Sequence, residues 1–412
     1  MSSGPVAIVG GGPAGLAAAV ELRRLGVGEA VVIERERDAG GIPRHARHQG
    51  FGLRDLRRPL SGPAYARRHV ELARAAGVEL LLETMVTGWA GGVLELTGPG
   101  GRSTLDAAAV VLATGCRERP RSARLVPGSR PDGVMTTGML QQLVYLSGLP
   151  AGRRALVVGA EHVSFSAIVT LGHGGARAVA LTTELPRHQS LAAFRLGARA
   201  RYRVPLWTRT RVSAIHGRPR VEEVELTDLD GGRTRTVACD TVVFTADWIP
   251  DHELAVTAGA ELDPLTRGPA IDAALRTSSL GVFAAGNLLH GAEQADVAAL
   301  SGRHAAGAVA RYLDDGRWPR RRVPVVCEEP LGWIAPNVVA AGFDAPPRGR
   351  FLLRSREFLR APRIEIAQGE RVLWSGRVAR VMPGRSTRLP FAWARDVDAE
   401  GEPVVCRLGR AG

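Results

Sequence analysis

The chain has 412 residues, and at about 150 residues per domain that length allows two to three domains with real hydrophobic cores and rules out a single small binding module. Hydrophobic residues make up 45% and charged residues 23%, ordinary globular usage that excludes wholesale disorder. The 54 basic residues against 41 acidic ones give a net charge of +13, and all 54 are arginine. With no lysine anywhere, Schiff-base chemistry, pyridoxal phosphate anchoring and a P-loop are excluded, because each needs a primary amine. All-arginine usage points to a composition bias, so the charge is weak support for a polyanion partner and no nucleic acid is expected. No apolar run approaches the roughly 18 residues of a membrane span, the nearest being residues 107–116. No basic region precedes an apolar stretch at the N-terminus, so no export signal is read and a cytoplasmic protein is expected.

In chain order, residues 6–9 are a short apolar run, followed by Gly10, Gly11, Gly12, Pro13, Ala14 and Gly15 and then the apolar, helix-like stretch 16–25. Strand, glycine turn and helix are the expectation. A second strand over 30–33 ends in Glu34, with Arg35 beside it, about 20 residues after the glycines, where a ribose-binding carboxylate belongs. Each glycine has its reason: Gly10 permits the tight turn, Gly12 lets the backbone approach a pyrophosphate, and Gly15 packs helix against strand. The helix N-terminus then faces the phosphates.

A similar unit begins at 155–158, followed by Gly159, Ala160, Glu161, His162, Val163 and Ser164, a helix, and a strand over 178–181 ending near Glu184. Only the first glycine survives. Glu161 stands where the second would be, crowding the pyrophosphate approach and repelling its charge, so NAD(P) binding here is doubtful. A third segment, residues 277–287, reads T-S-S-L-G-V-F-A-A-G-N and precedes a helix expected over 293–312. Beyond Trp318, the run Arg320, Arg321, Arg322 and Pro324 reads as a linker. The remainder alternates apolar and polar residues over 363–367, 371–374 and 404–408, with turns at Gly369 and Gly384.

Together with Ala113, Thr114 and Gly115 after the strand 109–112, the third segment resembles the two-dinucleotide-domain flavoproteins of the pyridine nucleotide-disulfide oxidoreductase superfamily. The resemblance covers residues 5–315. Within it GCRERPR, PGSRPDGVMTTGMLQQL and DPLTRGPAIDAALRTSSLGVFAAGN are similar to the FAD subunits of opine oxidase, hydrogen cyanide synthase and sarcosine oxidase alpha, and to FAD-dependent oxidoreductases accompanying glycerol-3-phosphate dehydrogenase-like proteins. It implies an α/β fold with two Rossmann-like, three-layer domains and a small C-terminal β domain. The expected division is 1–125 with 266–316 for FAD, 126–265 for the degenerate NAD(P)-like domain, and 320–412 for the β domain. It further implies FAD against Gly10, Gly12, Pro13, Ala14, Gly15, Glu34, Arg35, Gly41, Ala113, Thr114 and Gly115, with Gly286 and Asn287 at the ribityl chain. Gln294 and Ala295 would open a helix pointed at the flavin pyrimidine ring.

Gly40 and Gly41 match the G-G that follows the ribose acid in that superfamily, and the two cysteine positions counted from it hold Pro43 and His48. No cysteine occurs between residues 126 and 150 either. Cys116, Cys239, Cys327 and Cys406 lie far apart without C-x-x-C, so neither a metal site, an iron-sulfur site of this chain's own, nor dithiol chemistry is expected. The expectation is an FAD-dependent oxidoreductase that is not a dithiol or disulfide reductase.

His48 is either a proton acceptor beside the flavin or a loop histidine bonded to backbone, and Arg44, His45 and Arg47 make its loop basic enough for an anionic substrate. Arg117, Arg119 and Arg121 either face solvent or contact phosphate. The leading functional reading is a flavoprotein subunit passing electrons between a small substrate or partner dehydrogenase and another redox protein. The resemblance implies a second flavoprotein and a cysteine-rich iron-sulfur protein as partners in a heteromeric assembly, and net positive charge favours an acidic partner. Two alternatives stand beside it. One is a self-sufficient NAD(P)H-dependent flavin oxidoreductase reading the ribose through Glu184, or Arg187 and His188. The other is a non-catalytic interaction protein stabilised by FAD.

Overall fold

The computed structural model describes residues 4–90, 92–340 and 344–409. The chain divides into two compact units, one of residues 1–44, 49–116 and 250–412, the other of residues 45–48 and 117–249.

The first unit is built on a five-stranded parallel sheet in the order Val282–Ala284, Ala109–Leu112, Val6–Val9, Ala30–Ile33, Glu79–Leu81. Four of these strands are uninterrupted apolar runs buried along their whole length, the composition required of a parallel sheet covered on both faces. The helices Pro13–Arg24 and Ala295–Asp315 pack against each other. Their approach is close because Gly302 sits against the Ala14 backbone, where a Cβ would collide. The chain leaves Val6–Val9 toward Ala30–Ile33 on one side and returns through Ala109–Leu112 on the other. The crevice at the carboxyl ends of those strands is therefore a topological switch point, where open α/β sheets bind ligands.

Residues beyond 316 build two larger sheets in this unit, beside the two-stranded pair Leu359–Arg360 and Arg380–Val381. One has the order Val338–Ala340, Arg322–Cys327, Val404–Leu408, Arg363–Gln368, Arg371–Arg377, and the other Leu331–Ala335, Phe351–Ser355, Thr387–Leu389. They enclose a core of their own around Ile364, Ile366, Phe351 and Trp393. The run read as a linker is a docking seam. Trp318 packs edge-on against Phe283 and Tyr312, and the Arg322 guanidinium donates to the carbonyls of Thr277 and Ala270, both at 2.9 Å.

The second unit carries a parallel sheet in the order Val134–Thr136, Thr241–Phe244, Arg154–Val158, Arg177–Thr182, Leu206–Trp207, with an antiparallel sheet of Thr210–His216, Glu223–Asp228 and Thr234–Ala238. No helix among the described residues is long and apolar enough to cross a membrane.

Candidate functional site

Strand register assembles the amino-terminal cradle. Val9 pairs with both Ile33 and Leu112, and Leu112 pairs with Ala284, so Gly10, Glu34, Ala113 and Ala285 leave the sheet at one level. Gly10 takes φ +112° with its Cα against the Ala113 carbonyl, a conformation and a proximity that no side chain permits. Gly15 lies against the Gly10 carbonyl, where a Cβ would collide with it. Gly12 differs: a Cβ there meets nothing within 4 Å, and neither does one at Gly115.

The helix Pro13–Arg24 opens on that space with Gly12 at its N-cap, no side-chain cap and no acidic residue in its first turn. Its positive end is left for an anion. Glu34 is buried, its Oε2 accepting the Gly11 N–H at 2.8 Å and its Oε1 the Glu36 N–H at 2.9 Å. Each carboxylate oxygen keeps a lone pair for a ribose hydroxyl. Arg35 next to it is exposed, and Gly41, at φ +61°, lies against the Gly12 Cα. The Thr114 hydroxyl donates to the Asp251 carbonyl at 2.8 Å, and the Asp251 N–H donates to the Gly115 carbonyl at 3.0 Å.

At the second wall of the cradle the structure revises several side-chain roles. Gly286, at φ +74°, abuts Ala14 and donates its N–H to the Ser301 hydroxyl at 2.8 Å. The Asn287 amide is spent on the loop behind it, accepting from the Glu293 N–H at 2.8 Å and donating to the Glu293 carbonyl at 3.2 Å. The helix begins at Ala295 with Gln294 as its N-cap, so Glu293 belongs to the loop and not to the first turn. Arg54 holds this start in place, pairing with the buried Asp296 at 3.0 Å and bonding the Gln294 side chain.

Arg354 was missed by sequence reasoning. Its buried guanidinium donates to the carbonyls of Gly291 and Ala292, bonds Ser386 and pairs with Glu293 at 3.2 Å. Burial pushes the Glu293 carboxyl up, but the Arg354 and His290 charges and the hydrogen bonds from Ser386 and Arg354 together outweigh it and leave the group below its usual range. His290 stacks on Trp333 at 4.5 Å, and burial pushes its pKa down to about 4. Apart from the arginine itself, no sequence signal marks Arg354, since its loop partners Gly291, Ala292 and Glu293 lie some sixty residues away in a segment without periodicity.

The second unit shows the opposite state. The helix His162–His173 begins with a reciprocal capping box between Glu161 and Ser164. The Glu161 carboxylate accepts from the Ala160 N–H at 2.9 Å and from the Ser164 hydroxyl at 2.8 Å, and Ser164 also bonds Thr245 at 2.7 Å. The amide a pyrophosphate would seek is already bonded to an internal carboxylate. Glu184 and Arg187 are exposed. His48 belongs to this unit and is exposed, while the buried histidine of its loop is His45, with Nδ1 3.3 Å from Gln141 Oε1. Arg121 donates to the carbonyls of Val126, Pro127 and Ser129 and braces its own loop, while Arg119 donates to the Ala123 carbonyl and pairs with Asp247, both at 2.9 Å.

A family profile described as pyridine nucleotide-disulphide oxidoreductase matches residues 4–302. The chain belongs to this family. An opine oxidase subunit from Agrobacterium tumefaciens (strain Ach5) is 29% identical over 338 residues, covering 74% of this chain and 65% of that protein, so the match spans less than two thirds of the relative. Thioredoxin reductase of Treponema pallidum (strain Nichols) is 29% identical over 318 residues, covering 75% of this chain and 97% of that protein. The crystal structure of T. acidophilum thioredoxin reductase shares the fold, with a TM-score of 0.60 at 20% identity over 75% of this chain and 98% of that one.

Membership makes the chain an FAD-dependent oxidoreductase of α/β fold, with pyridine nucleotide the usual second cofactor of the family. The open space at Gly12, the uncapped helix and the buried Glu34 fit FAD. One expectation is overturned: exclusion of disulfide-reductase chemistry fails, because the family and its thioredoxin reductase relatives match about three quarters of the chain. The exclusion rested on Pro43 and His48 standing at the two cysteine positions, on the lack of cysteine between residues 126 and 150 and on the absence of C-x-x-C. The fold sets Cys327 opposite Cys406 on paired parallel strands.

Proposed function

We propose that the chain is an electron-transferring flavoprotein subunit, taking electrons from a small substrate or a partner dehydrogenase and passing them to another redox protein. The observation that carries this reading is the contrast between its two fingerprints. One opens on space with an uncapped helix; the other holds the Glu161 carboxylate against the amides and hydroxyl of its own turn. Bound FAD supplies two-electron acceptance from a donor and one-electron release to an acceptor. The chain's own residues do the rest: Gly10, Gly12, Pro13, Ala14 and Gly15 admit the pyrophosphate to the helix end, and Glu34 receives the adenosine ribose. Gly286, Gln294 and Ala295 present the wall and helix start that face the flavin, held by Arg54 and Asp296. Likeness to the opine oxidase relative supports a multi-subunit setting, in which a second flavoprotein and a cysteine-rich iron-sulfur protein would be the partners. His48 is kept as a candidate proton acceptor on an exposed loop.

A second reading, direct reduction by NAD(P)H, is favoured by the thioredoxin reductase relative, which matches 75% of this chain and 97% of its own length. Anaerobic mixing of the flavin-loaded protein with NADH and NADPH separates the two. Under the first reading the flavin stays oxidised over seconds. Glu161→Gly then improves NADPH binding by about tenfold, or about 1.4 kcal/mol, after losing a helix cap worth about 1 kcal/mol. Bleaching of the wild-type protein within milliseconds overturns it in favour of the second.

A further inference from the structure

A small cavity of about 50 Å³ lies behind the loop 286–293, between that loop and the residues that follow 335. Its walls are mostly apolar, with Arg348, Arg350, Glu293 and His290 as its ionisable lining. Glu293 is committed to Arg354 and Ser386. His290 is only 5% exposed, and its Nδ1 makes no hydrogen bond within the protein. A buried, unpartnered ring nitrogen costs roughly 1–3 kcal/mol and marks a place where a partner is absent.

Positive charge gathers around the same cavity. Arg388 pairs in register with Leu352 across the strands Thr387–Leu389 and Phe351–Ser355, and Leu352 lines the cavity, so both side chains stand on one face. Among the described residues no carboxylate forms an ion pair with Arg348, Arg350 or Arg388. The Arg348 guanidinium is held below its usual range, first by burial and then by Arg388, Arg350 and Arg54, with Asp296 alone opposing. Guanidiniums crowded in this way are arranged for an oxyanion, which accepts bidentate hydrogen bonds from their planar forks.

We propose that this cavity binds a small oxyanion, the carboxylate or phosphate group of a substrate, with Arg348, Arg350 and Arg388 supplying charge and the His290 Nδ1–H a buried donor. The loop holding the anion is the loop that carries Gly286 and Asn287, so a charge arriving there adjoins the wall of the FAD cradle. The identification of the anion as substrate rests on the electron-transfer reading; the binding itself does not. For that reason binding is measured on resting, oxidised protein with no electron donor.

Flavin-loaded protein is titrated with sodium phosphate and separately with sodium acetate at constant ionic strength, read by calorimetry and by the flavin difference spectrum. Saturable binding of at least one is expected, the tighter of the two naming phosphate or carboxylate as the group recognised. Arg350→Gln and Arg388→Gln should each weaken it by about tenfold, the loss of a charge-assisted hydrogen bond. The exposed Arg211→Gln, in the other unit, should leave it unchanged. If Arg350→Gln loses its flavin, Arg350→Lys, which keeps the charge without the fork, should show an intermediate loss. Equal weakening by Arg211→Gln means general attraction to net charge, and binding of polyglutamate but of neither small anion means a protein-docking surface; either result overturns the proposal. Failure of both anions to bind overturns it and leaves the electron-transfer reading to the NADPH experiment.

Discussion

Gly12 and Gly15 lie three residues apart on one turn and are needed for opposite reasons. At Gly15 a Cβ would strike the Gly10 carbonyl and press on Ile8 at 3.1 Å, so the residue is required by packing. At Gly12 the space is open and φ is −79°, a conformation alanine adopts freely, so the residue is required by what enters the cradle. Gly12→Ala is therefore expected to melt within a few degrees of the parent while retaining far less FAD. Gly15→Ala should lose about 1–3 kcal/mol or more through overpacking. Thermal melts with and without added FAD, alongside flavin content after desalting, separate the two. If both variants lose stability and flavin together, Gly12 is a packing residue and the cradle assignment fails. The packing contrast follows the fingerprint spacing, which sets Gly15 between helix and strand and assigns the phosphate side to Gly12 as an expectation. The fate of Asn287 was not legible in the sequence. Its position marks it for the ribityl chain, but its amide is taken by the backbone of Glu293, a contact no spacing announces.

Whole elements show the same boundary between what local pattern encodes and what it omits. Strands 6–9, 30–33 and 109–112 are apolar runs with turn residues at their ends, and they form over the expected residues. The helix expected from residue 293 starts two residues later because Glu293 is drawn away by Arg354, a partner outside any local window. The resulting loop has a pH dependence whose sign follows from burial. His290 is held neutral with its pKa near 4, far below its ordinary value, chiefly by desolvation and further by Arg354, while Glu293 opposes. The unfolded chain binds that proton more readily, so stability is complete above about pH 6.5 and falls as the pH drops toward 4, by up to about 3 kcal/mol. Glu293, net lowered by its charged and hydrogen-bonding partners together, adds a loss in the same direction at still lower pH. Melting temperatures at pH 7, 5.5 and 4.5 should therefore fall more steeply in the parent than in His290→Gln. Parallel slopes would show that His290 is protonated, or solvated, in the folded protein.

Across the whole chain the decisive question is whether residues beyond 316 are an appendage or part of the flavin fold. Composition suggested an appendage, since an arginine-rich run followed by alternating residues reads as linker and separate β domain. The contacts argue for integration. Arg322 bonds Thr277 and Ala270, and Trp318 covers Phe283 and Tyr312. Asn337 accepts from the Ile271 N–H through its side chain at 2.8 Å, while the backbone N–H groups of Asn337 and Val338 donate to the Ile271 carbonyl. Arg354 reaches back to three successive residues of the loop that walls the cradle. Removing this segment exposes an aromatic cluster and strands the Ile271 N–H and carbonyl, each buried polar group costing about 1–3 kcal/mol against a total stability of about 5–15 kcal/mol. A chain ending at residue 316 is accordingly expected to aggregate, or to emerge without flavin, when compared with the full chain by size-exclusion chromatography and visible absorbance. A monomeric, yellow fragment with an unchanged melting temperature would mean that these contacts are dispensable, and Arg354 would then lose its place as the residue tying the C-terminal sheets to the cradle.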